Sequence, residues 1–168
     1  MSALTGPPIA VRPAARADED AIWAMLRPVI AAGETYALER DLPRDEALAF
    51  WLGGDHRAFV AEWGGAAAGT YYLRPNQRGG GAHVANAGFV TAAAQAGRGV
   101  ARAMAADALA QARALGFAAM QFNAVVASNT RAVRLWRDLG FAVIGTVPAG
   151  FAHPRDGMVD LLVMHRAL

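Results

Sequence analysis

The chain of 168 residues contains no cysteine and no lysine. The first absence removes disulfides, thiolate metal sites and a cysteine nucleophile together. The second excludes a Gly-Lys-Ser/Thr phosphate loop and leaves arginine to supply all the basic charge. Serine is scarce as well: beyond Ser2 there is only Ser128, and no Gly-x-Ser-x-Gly elbow exists. Hydrophobic residues make up 55% and charged residues 18%, but the apolar excess is largely alanine, and no run is long enough to span a bilayer. No membrane segment is expected. Residues 1–8 lack the basic and apolar regions of a signal peptide, so a cytoplasmic protein is expected. His56, His83, His153 and His165 show no metal-ligand spacing, and no metal is expected. The net charge of +2 and pI near 9.7 come from scattered arginines, and the Arg78-Gly79-Gly80-Gly81 run reads as a loop. No nucleic-acid partner follows from that pattern.

What the chain does have is a stretch, residues 83–115, that reads as strand, glycine turn and helix. Residues 83–91 are β-prone and mostly apolar, Gln95-Ala96-Gly97-Arg98-Gly99-Val100-Ala101 is small and flexible, and residues 102–115 are alanine-rich without a breaker. The first N–H groups of a helix have no internal partner, and the helix dipole places partial positive charge there, so main chain alone can hold a phosphate. Gly97 and Gly99 would allow close approach, and Arg98 and Arg102 would add charge. An ordinary strand-to-helix connection also uses glycine. The turn is not a Gly-x-Gly-x-x-Gly fingerprint, because Arg102 stands where the third glycine would be.

Around that stretch the remaining elements fall into place. A strand over 9–12 precedes a helix that Asp18 can cap, with Ile22, Trp23, Met25, Leu26, Val29 and Ile30 as its apolar face and Gly33 as its stop. After a loop with Glu34, Thr35 and Tyr36, a second helix starts near Pro43 and turns Ala47, Leu48, Phe50, Trp51 and Leu52 inward. Residues 57–63 and 67–73 form a hairpin around Gly64-Gly65. Beyond the central strand, turn and helix come a strand over 119–126, a helix capped by Ser128 or Asn129 and closed by Gly140, and strands over 141–147 and 158–164 that form a hairpin across 148–157. Alternation of strands and helices in this order specifies an α/β fold with a mixed sheet covered by helices, in one domain over 1–168.

This order, the glycine turn, Asn129 and the Leu135-Trp136-Arg137-Asp138-Leu139-Gly140-Phe141 run together resemble the GCN5-related N-acetyltransferase superfamily over nearly the whole chain. The resemblance implies a mixed, mostly antiparallel central sheet of about seven strands flanked by about four helices. Its turn pattern, Arg/Gln-x-x-Gly-x-Gly/Ala, matches residues 96–101 except at Ala96, with Gln95 one residue early, and the proline that commonly follows the strand is missing. It implies acetyl-CoA as acetyl donor, held by Gly97, Arg98, Gly99, Val100 and Ala101, by the main chain of Val90 and Thr91, and near Asn129 and Trp136. Trp136 stands where the family often has a tyrosine acid; an indole N–H can donate a hydrogen bond but is no practical acid near neutral pH. Residues 83–89 and 122–125 further resemble the branch that acetylates proline analogues such as azetidine-2-carboxylate, in which asparagines corresponding to Asn86 and Asn123 line the substrate site. A Val159-Asp160 pair matches the same branch.

Direct transfer to an amine needs a fixed thioester, a neutral amine and donors for the developing oxyanion. Without a cysteine or an activated serine, a ternary complex is favoured over a covalent acyl-enzyme. Strand alternation groups Asn86 with Val84 and Gly88, and Asn123 with Gln121 and Val125. Each asparagine is either catalytic, orienting the acceptor and polarising the acetyl carbonyl, or a buried amide satisfied by a neighbouring loop. Thr35, Tyr36 and Phe89 join them as candidate substrate contacts, although Glu34, Thr35 and Tyr36 also read as an ordinary polar connection. Gly88 marks either a bulge or a close backbone contact. His83 is a base or, more simply, a surface histidine; Trp23 and Trp51 read as core; Asp160 reads as structural or as a dimer contact. The resemblance also implies a homodimer through the last strands, where the apolar Leu161-Leu162-Val163 segment would equally suit a buried strand. The expected substrate is a small amine, an amino or imino acid, with a peptide or protein amine or a catalytically silent acyl-CoA sensor as the alternatives.

Overall fold

In the computed structural model, which describes residues 6–168, the chain runs β1 (Ala10–Pro13), α1 (Glu19–Ala32), α2 (Arg44–Leu52), β2 (Arg57–Trp63), β3 (Ala66–Pro75), β4 (Val84–Thr91), α3 (Val100–Ala114), β5 (Ala119–Val126), α4 (Thr130–Asp138), β6 (Ala142–His153) and β7 (Gly157–Ala167). The α/β fold expected from the sequence is borne out. One sheet holds the strands in the order β1-β2-β3-β4-β5-β7-β6. Every neighbouring pair is antiparallel except β4 and β5. Residues 1–5, part of the stretch read for a leader, lie outside the described residues. Among the described residues no helix is long and apolar enough to cross a membrane.

Period-two alternation divides the sheet's side chains between two cores. Phe59, Ala61, Tyr71 and Leu73 pack under α3 and α4, while Val60, Tyr72 and Val90 pack under α1 and α2. The alanine face of α3 lets it lie close to the sheet: a Cβ on Gly69 would meet Met104 at 2.8 Å. Trp51 is buried as expected, its indole donating to Thr70 Oγ1 at 3.0 Å, and that hydroxyl donates to the Phe59 carbonyl at 2.8 Å. Gly64 and Gly65 both carry positive φ, 61° and 81°, the requirement of a two-residue hairpin turn whose twist matches its strands.

Several local expectations give way to tertiary structure. Asp18 occupies the position before α1 without capping it; its carboxylate instead accepts from the Ala15 N–H at 2.7 Å and twice from Arg12. Phe50 turns outward, 37% exposed, against the rims of His56 and Tyr72. Helix α3 begins at Val100 rather than Arg102, because Gly99 supplies its N-cap. The last hairpin turns only after His153: β6 continues through 148–150 by means of an irregularity between Val147 and Phe151, where Asp160 accepts the Ala149 N–H at 2.9 Å. Residues 161–163 lie on β7, an interior strand between β5 and β6.

The feature that positions the site is a fork. Strands β4 and β5 pair only at Val84–Ala119 and Ala85–Met120, then part. The parting coincides with an extra residue in β5: Phe122 and Val125 face Met164 and Leu162 of β7, so Asn123 and Ala124 occupy a bulge that bends the strand. No register shift falls at Gly88, where a bulge was one expectation. Gly88 is instead a close contact: a Cβ there would meet the Tyr72 ring at 2.5 Å.

Candidate active site

A cleft of about 710 Å³ opens where β4 and β5 separate. Its floor is the aromatic surface of Phe89, Phe122 and Trp136. Trp136 lies 5.1 Å from Phe89 and 4.6 Å from Phe122, centroid to centroid, and is 9% exposed, so its indole is wall rather than a free acid.

One end of the cleft is built from main chain. A 3-10 turn, Ala93–Gln95, leads into Gly97 and Gly99 at φ of 78° and 84°, a region that side-chain-bearing residues avoid. No side chain caps α3 at Gly99, and nothing lies within 4 Å of the direction a Cβ would take there. The turn therefore presents uncapped helix N–H groups to open space, the arrangement an anion fits. Gln95 contributes a buried side-chain oxygen without a partner. Arg98 does not add charge to the turn; its guanidinium stacks 4.2 Å above the Trp63 ring. Arg131 of α4 does, with Nη2 3.7 Å from the Cβ direction of Gly97, while Arg134 lines the same end. Arg102 is tied to Asp138 at 3.0 Å. Asn129 caps α4, its side-chain oxygen accepting the Ala132 N–H at 3.1 Å, and it borders the cleft beside Ala101 and Val100.

Along β4 the main chain faces the cleft at alternate residues. The Tyr36 hydroxyl accepts the Phe89 N–H and donates to the Phe89 carbonyl, each at 2.8 Å, so Phe89 directs its backbone away from β3. Alternation then points the backbone of Ala87 and Thr91 into the fork and that of Val90 toward Thr70 of β3. Val90 is 3% exposed beneath α1 and does not border the cleft, which corrects its assignment as a cofactor contact; Thr91 does border it.

The other end is built from side chains of four segments. Asn86, 7% exposed, follows the last β4–β5 pair, and its amide donates to the Gln121 carbonyl at 3.0 Å, acting as a side-chain rung where the backbones part. Asn123 lies in the bulge, donates to Asn76 Oδ1 at 2.7 Å and accepts from Gln121 Nε2 at 3.1 Å. Both asparagines border the cleft, as do Thr35, Tyr36, Tyr72 and Arg74. Tyr72 stacks on His56 at 4.3 Å, and burial holds the Tyr36 and Tyr72 phenols above their ordinary range. Arg74, whose Nε donates to Asn86 Oδ1 at 3.4 Å, escaped the sequence reading because it lies just past the strand expected over 67–73; its register opposite Asn86 would have placed it. Arg131 and Arg134 escaped it because an exposed helix arginine carries no signal until α4 is set beside the turn. Glu34 does not enter the cleft but pairs with Arg155 at 2.9 Å, tying the α1–α2 connection to the β6–β7 turn. His83 is exposed and outside the site. Among the described residues lining the cleft, the one carboxylate is Asp138, already paired with Arg102, and there is no histidine.

The profile of the Acetyltransferase (GNAT) family matches residues 23–141. The chain belongs to that family and is an acetyltransferase. It is similar to a GCN5-related N-acetyltransferase from Kribbella flavida, with 48% identity, a TM-score of 0.91, and 95% of this chain and 98% of that one covered. N-acetyltransferase aca1 of Schizosaccharomyces pombe is 28% identical over 151 residues, 80% of this chain and 72% of that protein. The fold also matches yncA, a putative acetyltransferase from Salmonella typhimurium solved with its cofactor acetyl-CoA, at 22% identity, a TM-score of 0.82, and 95% and 94% coverage.

Proposed function

We propose that this acetyltransferase moves an acetyl group directly onto the amine of a small molecule, an amino or imino acid. The observation that carries the reading is the anchoring of the α1–α2 connection beside the acceptor side. Tyr36 bonds both main-chain groups of Phe89, and Glu34 pairs with Arg155 across the sheet, so the α1–α2 connection is held down over the fork. A peptide acceptor calls for a wide groove, and the anchored connection narrows this end of the cleft.

Acetyl-CoA is the acetyl donor and supplies the acetyl group as an activated thioester. Its phosphates fit the uncapped N-terminus of α3, with Arg131 and Arg134 adding charge and Gly97 and Gly99 allowing close approach. The backbone N–H groups of Ala87 and Thr91 are available to a carbonyl lying along the fork, and the aromatic floor excludes water. Asn123, braced by Asn76 and Gln121, is placed to orient the acceptor. Asn86 ties β4 to β5 at the apex of the fork. With no unpaired carboxylate and no histidine among the described residues lining the cleft, proton removal falls to solvent and to the ionisation of the amine itself.

The test is thiol release from acetyl-CoA against amino acids, proline analogues, polyamines and short peptides, with Asn123→Ala as control. Turnover on a small amine, reduced by at least about tenfold in the variant, supports reaction and site. Preferred turnover on peptides would replace this reading with protein acetylation. Binding without turnover on any acceptor would replace it with an acyl-CoA sensor.

A further inference from the structure

We infer that Arg74 seats a carboxylate of the acceptor, so that the enzyme selects amines carrying an anionic group near the nitrogen. This deepens the acetyl-transfer reading above and rests on it. Arg74 stands near the end of β3, in register with Asn86 of β4, and borders the acceptor end of the cleft. Its side chain is half-buried, and its hydrogen bond to Asn86 Oδ1, at 3.4 Å, is long. Among the described residues no carboxylate lies within ion-pair distance of it, whereas Arg12, Arg44, Arg102 and Arg155 each hold one.

Among the described residues, the groups around it do not neutralise it. Tyr36 and Tyr72 remain protonated, Asn86 and Asn123 are neutral, and His56 behind the Tyr72 ring is pushed toward its neutral form by burial, with the charge of Arg74 adding to the push. A guanidinium partly withdrawn from water and left without a counter-ion attracts an anion and repels a cation. The planar fork of arginine matches a carboxylate bidentately, which fixes orientation as well as position. The same charge disfavours polyamines and lysine-bearing peptides, and it favours the neutral, reactive form of an amine held beside it.

The experiment measures kcat/KM, per neutral amine, for a series of amino and imino acids, each paired with its own carboxamide, in the wild type, Arg74→Gln and Arg74→Lys. We expect the acid to exceed its carboxamide by about 10- to 100-fold in the wild type, the worth of one charge-assisted contact. Arg74→Gln should bring the ratio to within about threefold of unity, mainly through the KM of the acid, and Arg74→Lys should fall between, since lysine keeps the charge and loses the fork. Thermal melts establish that both variants fold; if Arg74→Gln does not, the ratio in Arg74→Lys decides, an unchanged ratio counting against the seat. A ratio that survives in Arg74→Gln, or a wild type that turns over carboxamides as well as acids, overturns the inference while leaving acetyl transfer standing. Absence of turnover on every amine overturns both.

Discussion

The two ends of the cleft are made in opposite ways. At the glycine-turn end, recognition groups come from the backbone of one contiguous segment, residues 95–101, with charge added from α4. At the acceptor end they are side chains gathered from the α1–α2 connection, β3, β4 and β5, and none works without its neighbours. The contrast teaches that a main-chain site tolerates change in almost any side chain except its glycines, whereas a convergent site is sensitive to packing well away from the ligand.

The same contrast explains what the sequence disclosed. Strand, turn and helix over 83–115 were readable because glycine spacing and an alanine helix are local signals, and the element order followed from periodicity. The fork was not. It depends on β5 gaining an extra residue at Asn123 and Ala124, and nothing in Phe122-Asn123-Ala124-Val125 announces a bulge, while Gly88, which does resemble one, proves to be clearance for Tyr72. Arg98 shows the converse error: its place in the turn was legible, but its side chain is claimed by Trp63, which is distant in sequence.

The sharpest way to separate the two ends is a pair of glycine substitutions. Gly88→Ala places a methyl group 2.5 Å from the Tyr72 ring, inside packing that includes Trp51 and His56. We expect a loss of about 2–3 kcal/mol in stability by denaturant titration, the cost of overpacking. Turnover should fall by more than about tenfold while acetyl-CoA affinity changes less than about threefold. If affinity for acetyl-CoA falls as far as turnover, the two ends are not independent.

Gly99→Val is its mirror. A β-branched residue at φ 84° is strained, and we expect about 1–2 kcal/mol of destabilisation. Here the acetyl-CoA Kd by calorimetry should rise at least about tenfold, because the backbone that meets the phosphates is displaced. An unchanged Kd would show that the turn is not where the donor's anion sits.

Within the acceptor end, Asn86 and Asn123 should also part company. Asn86→Ala strands the half-buried Gln121 carbonyl at the apex of the fork, and an acceptor left without its partner there costs about 1 kcal/mol. Asn123 is exposed, so Asn123→Ala should leave the free energy of unfolding within about 0.5 kcal/mol of the wild type while depressing kcat. Equal loss of stability in both would return Asn123 to a purely structural role.

A smaller effect tests whether damage far from the cleft can be kept out of both ends. The Arg12 guanidinium, together with the Ala15 N–H, holds the Asp18 carboxyl at about 2, below its ordinary 3.8. The folded value is the lower one, so the unfolded chain binds the proton more readily. The stabilisation is therefore complete above the unfolded value and is lost as pH falls from about 4 to about 2. A shift of that size corresponds to about 2.5 kcal/mol, but Arg12 keeps 41% of its side chain in solvent, and screening reduces the contribution to about 1 kcal/mol. Asp18→Asn should lower stability by that amount at neutral pH and flatten the decline between about pH 4 and pH 2. Because Asp18 fixes the chain entering α1 and touches neither end of the cleft, kcat and the acetyl-CoA Kd should both hold. A fall in kcat alone would mean that the acceptor side reaches through α1 to the first strand, making the convergent end larger than its lining residues.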